Sequence, residues 1–176
     1  MGAVVANVST CFAVYEAVAL GKPLIERVVT VSGEGVARPC NVLAPIGTKA
    51  SDLYAFAGGL RDEVYKLVSG GPMMGFAFSD EETPITKGGG GLLALEPGRP
   101  AKTYPCVSCS KCVQHCPMGL MPNRMYRLIT HDSVDEALAI GLMDCKECGC
   151  CAYSCPSGIP LVQGFKLGKK MARSKK

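Results

Sequence analysis

The sequence has no tryptophan, and 5 Phe and 6 Tyr are its only aromatics among 176 residues. With no helix-turn-helix pattern either, no stacking platform or groove-reading element for nucleic acid is present. No stretch approaches the ~18 consecutive apolar residues of a membrane-spanning helix. The first twenty residues are apolar, but they carry Glu16 and no Lys or Arg precedes Lys22. A secretory leader needs a basic start and an unbroken apolar core, so the chain reads as mature cytoplasmic protein. Charged residues are sparse at 19%, against 48% hydrophobic ones and a mean hydropathy of +0.20. That excludes the polar, highly charged balance of a disordered chain, and the length suffices for one ordinary domain or two small ones.

What the chain does have is 11 Cys, 21 Gly and 12 Pro, with a net charge of +4. Lys166, Lys169, Lys170, Arg173, Lys175 and Lys176 fall in the last 11 residues without an acid among them, which leaves the rest of the chain at −2. Residues 166–176 therefore read as a basic tail, solvated and frayed or touching anionic lipid or an acidic redox partner.

The pattern before the cysteine-rich third is that of a small α+β unit. Residues 9–20 read as a helix capped by Ser9 or Thr10 and stopped by Gly21 and Pro23. The β-branched run 28–31, the turn Gly33-Glu-Gly35 and the stretch 42–46 read as two strands, and Pro39 and Pro45 fit an edge strand or a strand end better than a sheet centre. A short helix is expected over 52–57, capped by Thr48 or Ser51, followed by strands at 64–68 and 92–95. Gly70-Gly-Pro-Met-Met-Gly75 and the run from Gly88 to Gly91 match neither a P-loop nor a dinucleotide fingerprint. They read as loops that need positive φ. Residues 97–105 read as a linker.

Two blocks then carry the chemistry: Cys106-Val-Ser-Cys109-Ser-Lys-Cys112-Val-Gln-His-Cys116-Pro117 and Cys145-Lys-Glu-Cys148-Gly-Cys-Cys151-Ala-Tyr-Ser-Cys155-Pro156. Each is C-x2-C-x2-C-x3-C-P, in which three thiolates wrap one face of a cubane and the fourth, turned away before proline, ligates the other cluster. Cys106, Cys109, Cys112 and Cys155 are thus expected on one 4Fe–4S cluster, and Cys145, Cys148, Cys151 and Cys116 on a second. Structural zinc favours separated C-x2-C pairs, and three evenly spaced cysteines plus C-P would crowd one tetrahedral ion. Cys150 is an extra thiol, Cys11 and Cys40 lie apart, and His115 and His131 do not read as ligands. Between the blocks, Pro122 opens a helix to about Thr130, and Ser133-Val-Asp-Glu136 is a capping box for another ending near Gly141. Cys106 and Cys145 are 39 positions apart, which leaves room for both helices and favours a helical dicluster ferredoxin-like domain over a compact hairpin form.

The combination resembles a known family, the C subunit of the Rnf (Rsx) ion-translocating electron transport complex, over nearly the whole chain. The resemblance rests on Asn7-Val-Ser-Thr10, Gly21-Lys-Pro-Leu-Ile-Glu-Arg-Val-Val-Thr-Val-Ser-Gly33, Pro45-Ile-Gly47, Gly70-Gly-Pro-Met-Met-Gly75 and Thr86-Lys-Gly88. The two cysteine blocks add their tails, Cys116-Pro-Met-Gly-Leu-Met-Pro122 and Cys155-Pro-Ser-Gly-Ile-Pro-Leu-Val162. It implies a peripheral subunit on the cytoplasmic face of the membrane. Such a subunit relays electrons through two 4Fe–4S clusters from an NADH and FMN site to other subunits of the complex. It also implies a soluble-ligand-binding β-grasp unit ahead of the clusters, so the expected class is α+β.

The resulting division is 1–27 as the exit helix of a flavin-type domain, 28–96 as the β-grasp-like domain and 97–103 as linker. Residues 104–165 form the two-cluster domain and 166–176 the tail. The glycine-rich flavin domain of the family has no further counterpart here. FMN and NADH are therefore expected only where a partner chain supplies that domain, onto which apolar Val14, Val18 and Leu20 would dock. A soluble dicluster adaptor for another oxidoreductase and a zinc-binding interaction module are the other readings.

Overall fold

The computed structural model describes residues 2–98 and 102–174, and the chain divides into two compact units at Gly98 and Arg99. In the first unit the element that organises the sheet is β1 (Glu26–Ser32). Val29 and Val31 are fully buried while Val28 and Thr30 face outward, the period-two alternation of a strand covered on one face. β1 pairs antiparallel with β2 (Cys40–Pro45), Val29 opposite Val42, and parallel with β5 (Gly91–Leu95), Val31 opposite Leu92. β5 runs antiparallel to β3 (Lys66–Ser69), which in turn pairs with β4 (Phe76–Phe78). The strand order is β2-β1-β5-β3-β4. Pro39 and Pro45 therefore do border an edge strand, where the absent N–H costs no ladder bond.

A parallel β1/β5 pair needs a crossover, and this one contains a short helix, α2 (Ala50–Phe56). Its Ala50, Leu53 and Tyr54, with Ala57 beyond its end, share a core with Val29, Val31, Leu67, Leu92 and Ala94. Burial raises the Tyr54 phenol above its ordinary value, with a smaller push from the Glu81 carboxylate. Helix α1 (Val8–Ala19) precedes the sheet, and none of its residues is buried.

Several expectations are corrected at the level of caps and loops. The α1 cap is Asn7, whose Oδ1 accepts from the Ser9 N–H at 2.9 Å; Ser9 and Thr10 lie inside the helix. Neither Thr48 nor Ser51 caps α2, which starts from Lys49 without a side-chain cap, while the Thr48 hydroxyl donates to the Pro45 carbonyl at 2.8 Å. Strand β4 has no counterpart among the expected strands. Its three residues, Phe-Ala-Phe, follow a glycine run and are too few to set a period. In that run only Gly70 has positive φ among Gly70, Gly71 and Gly75, and none of Gly88 to Gly91 does. At Gly75 the reason is space, since a Cβ would lie 2.6 Å from the Gly71 carbonyl oxygen and from Val68.

Lys49 and Glu82 form an exposed ion pair that holds the Glu82 carboxyl below its usual range. A depressed carboxylate contributes stability above its unfolded value and loses it as pH falls through the folded one. Because both partners are solvated, Glu82→Gln is expected to lower the melting temperature at pH 7 only slightly. The variant and the parent are also expected to converge on acidification, which thermal melts across pH 3 to 7 would read.

The second unit is helical: α3 (Lys111–Gln114), α4 (Pro122–Thr130), α5 (Val134–Ala139), a 3₁₀ turn at Leu142–Asp144, α6 (Cys150–Tyr153) and α7 (Leu161–Ser174). Proline at the first position of α4 replaces an N–H that would have no partner there. Met125, Ile129, Ala137, Leu142, Leu161, Val162 and Phe165 make one core with Cys112 and Cys151. Two glycines on α7 form notches for α4, since a Cβ on Gly164 would lie 2.6 Å from the Tyr126 ring and one on Gly168 2.7 Å from Ile129.

The capping box does not form. Ser133 makes no side-chain cap bond, and its hydroxyl turns back to the His131 carbonyl. The expected tail is also corrected, since residues up to Ser174 continue α7 and Lys169 is buried inside the unit. Lys175, Lys176 and part of the expected linker, residues 99–101, lie outside the described residues.

Candidate metal centre

The two cysteine blocks are one structural repeat, offset by 39 positions. Ser108 and Glu147 stand two residues after the first cysteine of each block and share φ of 53° and 54°. Ser110 and Gly149 follow at 58° and 87°. The left-handed region costs a non-glycine residue roughly 1–2 kcal/mol, and three of the four described non-glycine residues that adopt it lie in these loops. Alternating right- and left-handed backbone turns successive N–H groups toward one point, the concavity that binds anionic groups and iron–sulfur centres. In keeping with this, the Glu147 N–H donates to Cys145 Sγ and the Leu120 N–H to Cys116 Sγ, both at 3.4 Å.

Two cavities sort the cysteines. Cys106, Cys109 and Cys112 of the first block line one of about 620 Å³ together with Cys155 of the second. Cys145, Cys148 and Cys151 line the other with Cys116 of the first. The second is far tighter, about 20 Å³, so a bound group there requires its walls to part, whereas the first is already open. α3 and α6 carry Cys112 and Cys151 inward, and Cys116 and Cys155 stand shortly before α4 and α7. From these connecting segments each fourth thiol reaches the opposite cavity.

Burial raises the thiols of Cys112 and Cys145 and pushes that of Cys151 up to about 11. Thiols so shifted are protonated at neutral pH, and a metal must displace those protons when it binds. Cys150, the first residue of α6, is raised first by a hydrogen bond with Cys148. Cys11 is exposed on α1 and Cys40 is half-buried against the sheet core. His115 Nδ1 meets the Lys111 carbonyl at 2.9 Å, and His131 caps the C-terminus of α4.

The residues present distinguish the two candidate groups. Tetrahedral zinc needs four ligands about 2.0–2.3 Å from one point, whereas the four thiols of the first site line a cavity of about 620 Å³. Four thiols spread around each cavity, with backbone N–H groups on the sulfurs of Cys116 and Cys145, suit a larger cubane. Two charged residues beside the thiols, Lys169 and Glu147, are not singled out by the cysteine spacing. Lys169 donates to the Cys145 carbonyl and to Glu147 Oε1, both at 2.7 Å. Aligning the two blocks through α4 and α7 sets Lys169 against Thr130, a signal that is present in the sequence.

Fold and cysteine arrangement together define an iron–sulfur protein in which a mixed sheet unit precedes a helical dicluster unit. Known families agree: residues 28–77 match the SLBB domain and residues 105–159 the 4Fe-4S dicluster domain, and two 4Fe–4S clusters are the cofactors of the second unit. The chain is 46% identical over 171 residues to the C subunit of the ion-translocating oxidoreductase complex of Rhodobacter capsulatus, covering 96% of this chain and 33% of that protein. Identity is 45% over 139 residues with the C subunit of the proton-translocating ferredoxin:NAD(+) oxidoreductase complex of Clostridium ljungdahlii, 78% of this chain and 30% of that one. With the C subunit of the Pseudomonas aeruginosa ion-translocating oxidoreductase complex it is 42% over 179 residues, 100% and 23%. The chain belongs to this family of C subunits, and it spans about a third or less of the length of these relatives.

Proposed function

We propose that the chain is the electron-relay portion of an ion-translocating oxidoreductase complex. On this reading Cys106, Cys109, Cys112 and Cys155 hold one 4Fe–4S cluster, and Cys145, Cys148, Cys151 and Cys116 hold the other. The observation that carries it is the sorting of eight thiols into two cavities, each with three from one block and one from the other. A bound 4Fe–4S cluster supplies one-electron chemistry, and full thiolate ligation leaves no position for a substrate. The chain's own contribution is to bring the thiols together, aim N–H groups at the sulfurs of Cys116 and Cys145 and enclose one site more than the other.

The remaining parts of the reading follow from the surface. The first unit is taken as a β-grasp domain, a reading supported by its mixed sheet around α2. Val8, Phe12, Val14, Tyr15, Val18 and Leu20 are exposed along α1 and its end and are taken as the seat of a flavin- and NADH-binding partner. Lys166, Lys170 and Arg173 are exposed at i, i+4 and i+7 of α7, a basic stripe suited to anionic lipid. No helix among the described residues is long and apolar enough to cross a membrane, and the proposed position is peripheral, on the cytoplasmic face.

The test is iron and acid-labile sulfide per chain after anaerobic reconstitution, with low-temperature EPR after dithionite and, separately, after NADH. The expected result is about eight of each, with signals from dithionite and none from NADH alone. Stoichiometric zinc without iron would overturn the relay reading.

A further inference from the structure

A lysine is rarely buried unless it is paired. Lys169 is 8% exposed, and both of its acceptors lie in one four-residue loop, the Cys145 carbonyl and the Glu147 carboxylate. Between them runs the peptide whose Glu147 N–H donates to Cys145 Sγ. The ammonium thus fixes both ends of a segment that Glu147 holds in the left-handed region. The matching positions of the first block are Ser108 and Thr130, neutral hydroxyls that line the first cavity. Backbone and thiols repeat between the two sites; Arg124 and Arg127 also line the first cavity, so what the first site lacks is the buried lysine–carboxylate pair on the loop, not positive charge as such.

We infer that Lys169 and Glu147 form a clasp that holds the Cys145–Cys148 loop and sets the reduction potential of the second site apart from the first. The inference rests on the ligation proposed above. Lys169 acts here as a positioning residue whose charge favours the reduced, more negative form of whatever the loop holds, and Glu147 offsets part of that charge. Removing the cation leaves an uncompensated carboxylate, and removing the carboxylate leaves an uncompensated cation. Opposite shifts are therefore expected, which a purely structural role would not produce.

The experiment is an EPR-monitored redox titration of the anaerobically reconstituted chain and its Lys169→Met, Lys169→Arg and Glu147→Gln variants, with iron counted in each. Lys169→Met is expected to lower the reduction equilibrium of one cluster about tenfold, ~59 mV for one electron, leaving the other within about twofold. Glu147→Gln is expected to raise that same cluster, and Lys169→Arg to stay near the parent. If Lys169→Met fails to retain one cluster, Glu147→Gln decides, because it keeps the lysine: an upward shift of a single cluster supports the clasp and no shift overturns it. Two loaded clusters whose potentials stay put, move together, or move the same way in the Met and Gln variants overturn the clasp while the ligation reading stands. A parent chain that fails to load two clusters overturns both.

Discussion

Cys155→Ala is expected to halve the iron content, from about eight to about four per chain, and the site it empties is the one lined by the other block. Cys155 belongs to the second block in sequence and to the first cavity in space. Paired substitutions make this visible. Cys155→Ala with Cys106→Ala removes two thiols of one cavity, so iron is expected to stay at the level of the single variant. Cys155→Ala with Cys145→Ala takes one thiol from each cavity, and both clusters are expected to be lost. Ligation within each block would give the reverse pattern, so iron and sulfide counts on three proteins decide between the two arrangements.

Phe165→Ala is expected to have the largest effect on the fold of the helical unit. The ring is 1% exposed on α7, in one core with Met125, Ile129 and Leu142, and it also lines the second cavity. Truncating a buried Phe costs about 3–5 kcal/mol through lost burial and the void left behind. In a unit of this size each kcal/mol is worth roughly 4–8 °C, so the melting transition of the second unit is expected to fall by at least about 10 °C. Leu167, two residues on and 55% exposed, is the control: Leu167→Ala is expected to shift it little. Equal shifts would mean that α7 does not pack as described.

The pattern behind the proposed cysteine sites is legible in the sequence because its signal is local. Eight thiols at fixed spacing with two following prolines leave few geometries, and in space Cys116 and Cys155 each line the cavity of the other block. Strand β1 is legible because a β-branched run alternates in burial, and α4 because proline marks its first residue. Caps are not legible. Asn7, Ser9 and Thr10 are all competent to cap α1, and which of them does so is decided by where the helix begins. Helix α7 is hidden by its own composition. Four basic residues and two glycines between Gly164 and Arg173 argue for a frayed tail when each is taken singly. The glycines are there because Tyr126 and Ile129 need the room, and one of the lysines is inside because an acid 22 positions earlier is there to meet it. Both reasons are tertiary, and no window along the chain contains them.

On the proposed ligation, the crossing of Cys116 and Cys155 sets the smallest piece of this chain that can work. One copy of the 39-residue repeat supplies three thiols to one cavity and one to the other, so a half cut between α5 and Cys145 would close neither. Two identical copies laid side by side would complete each other.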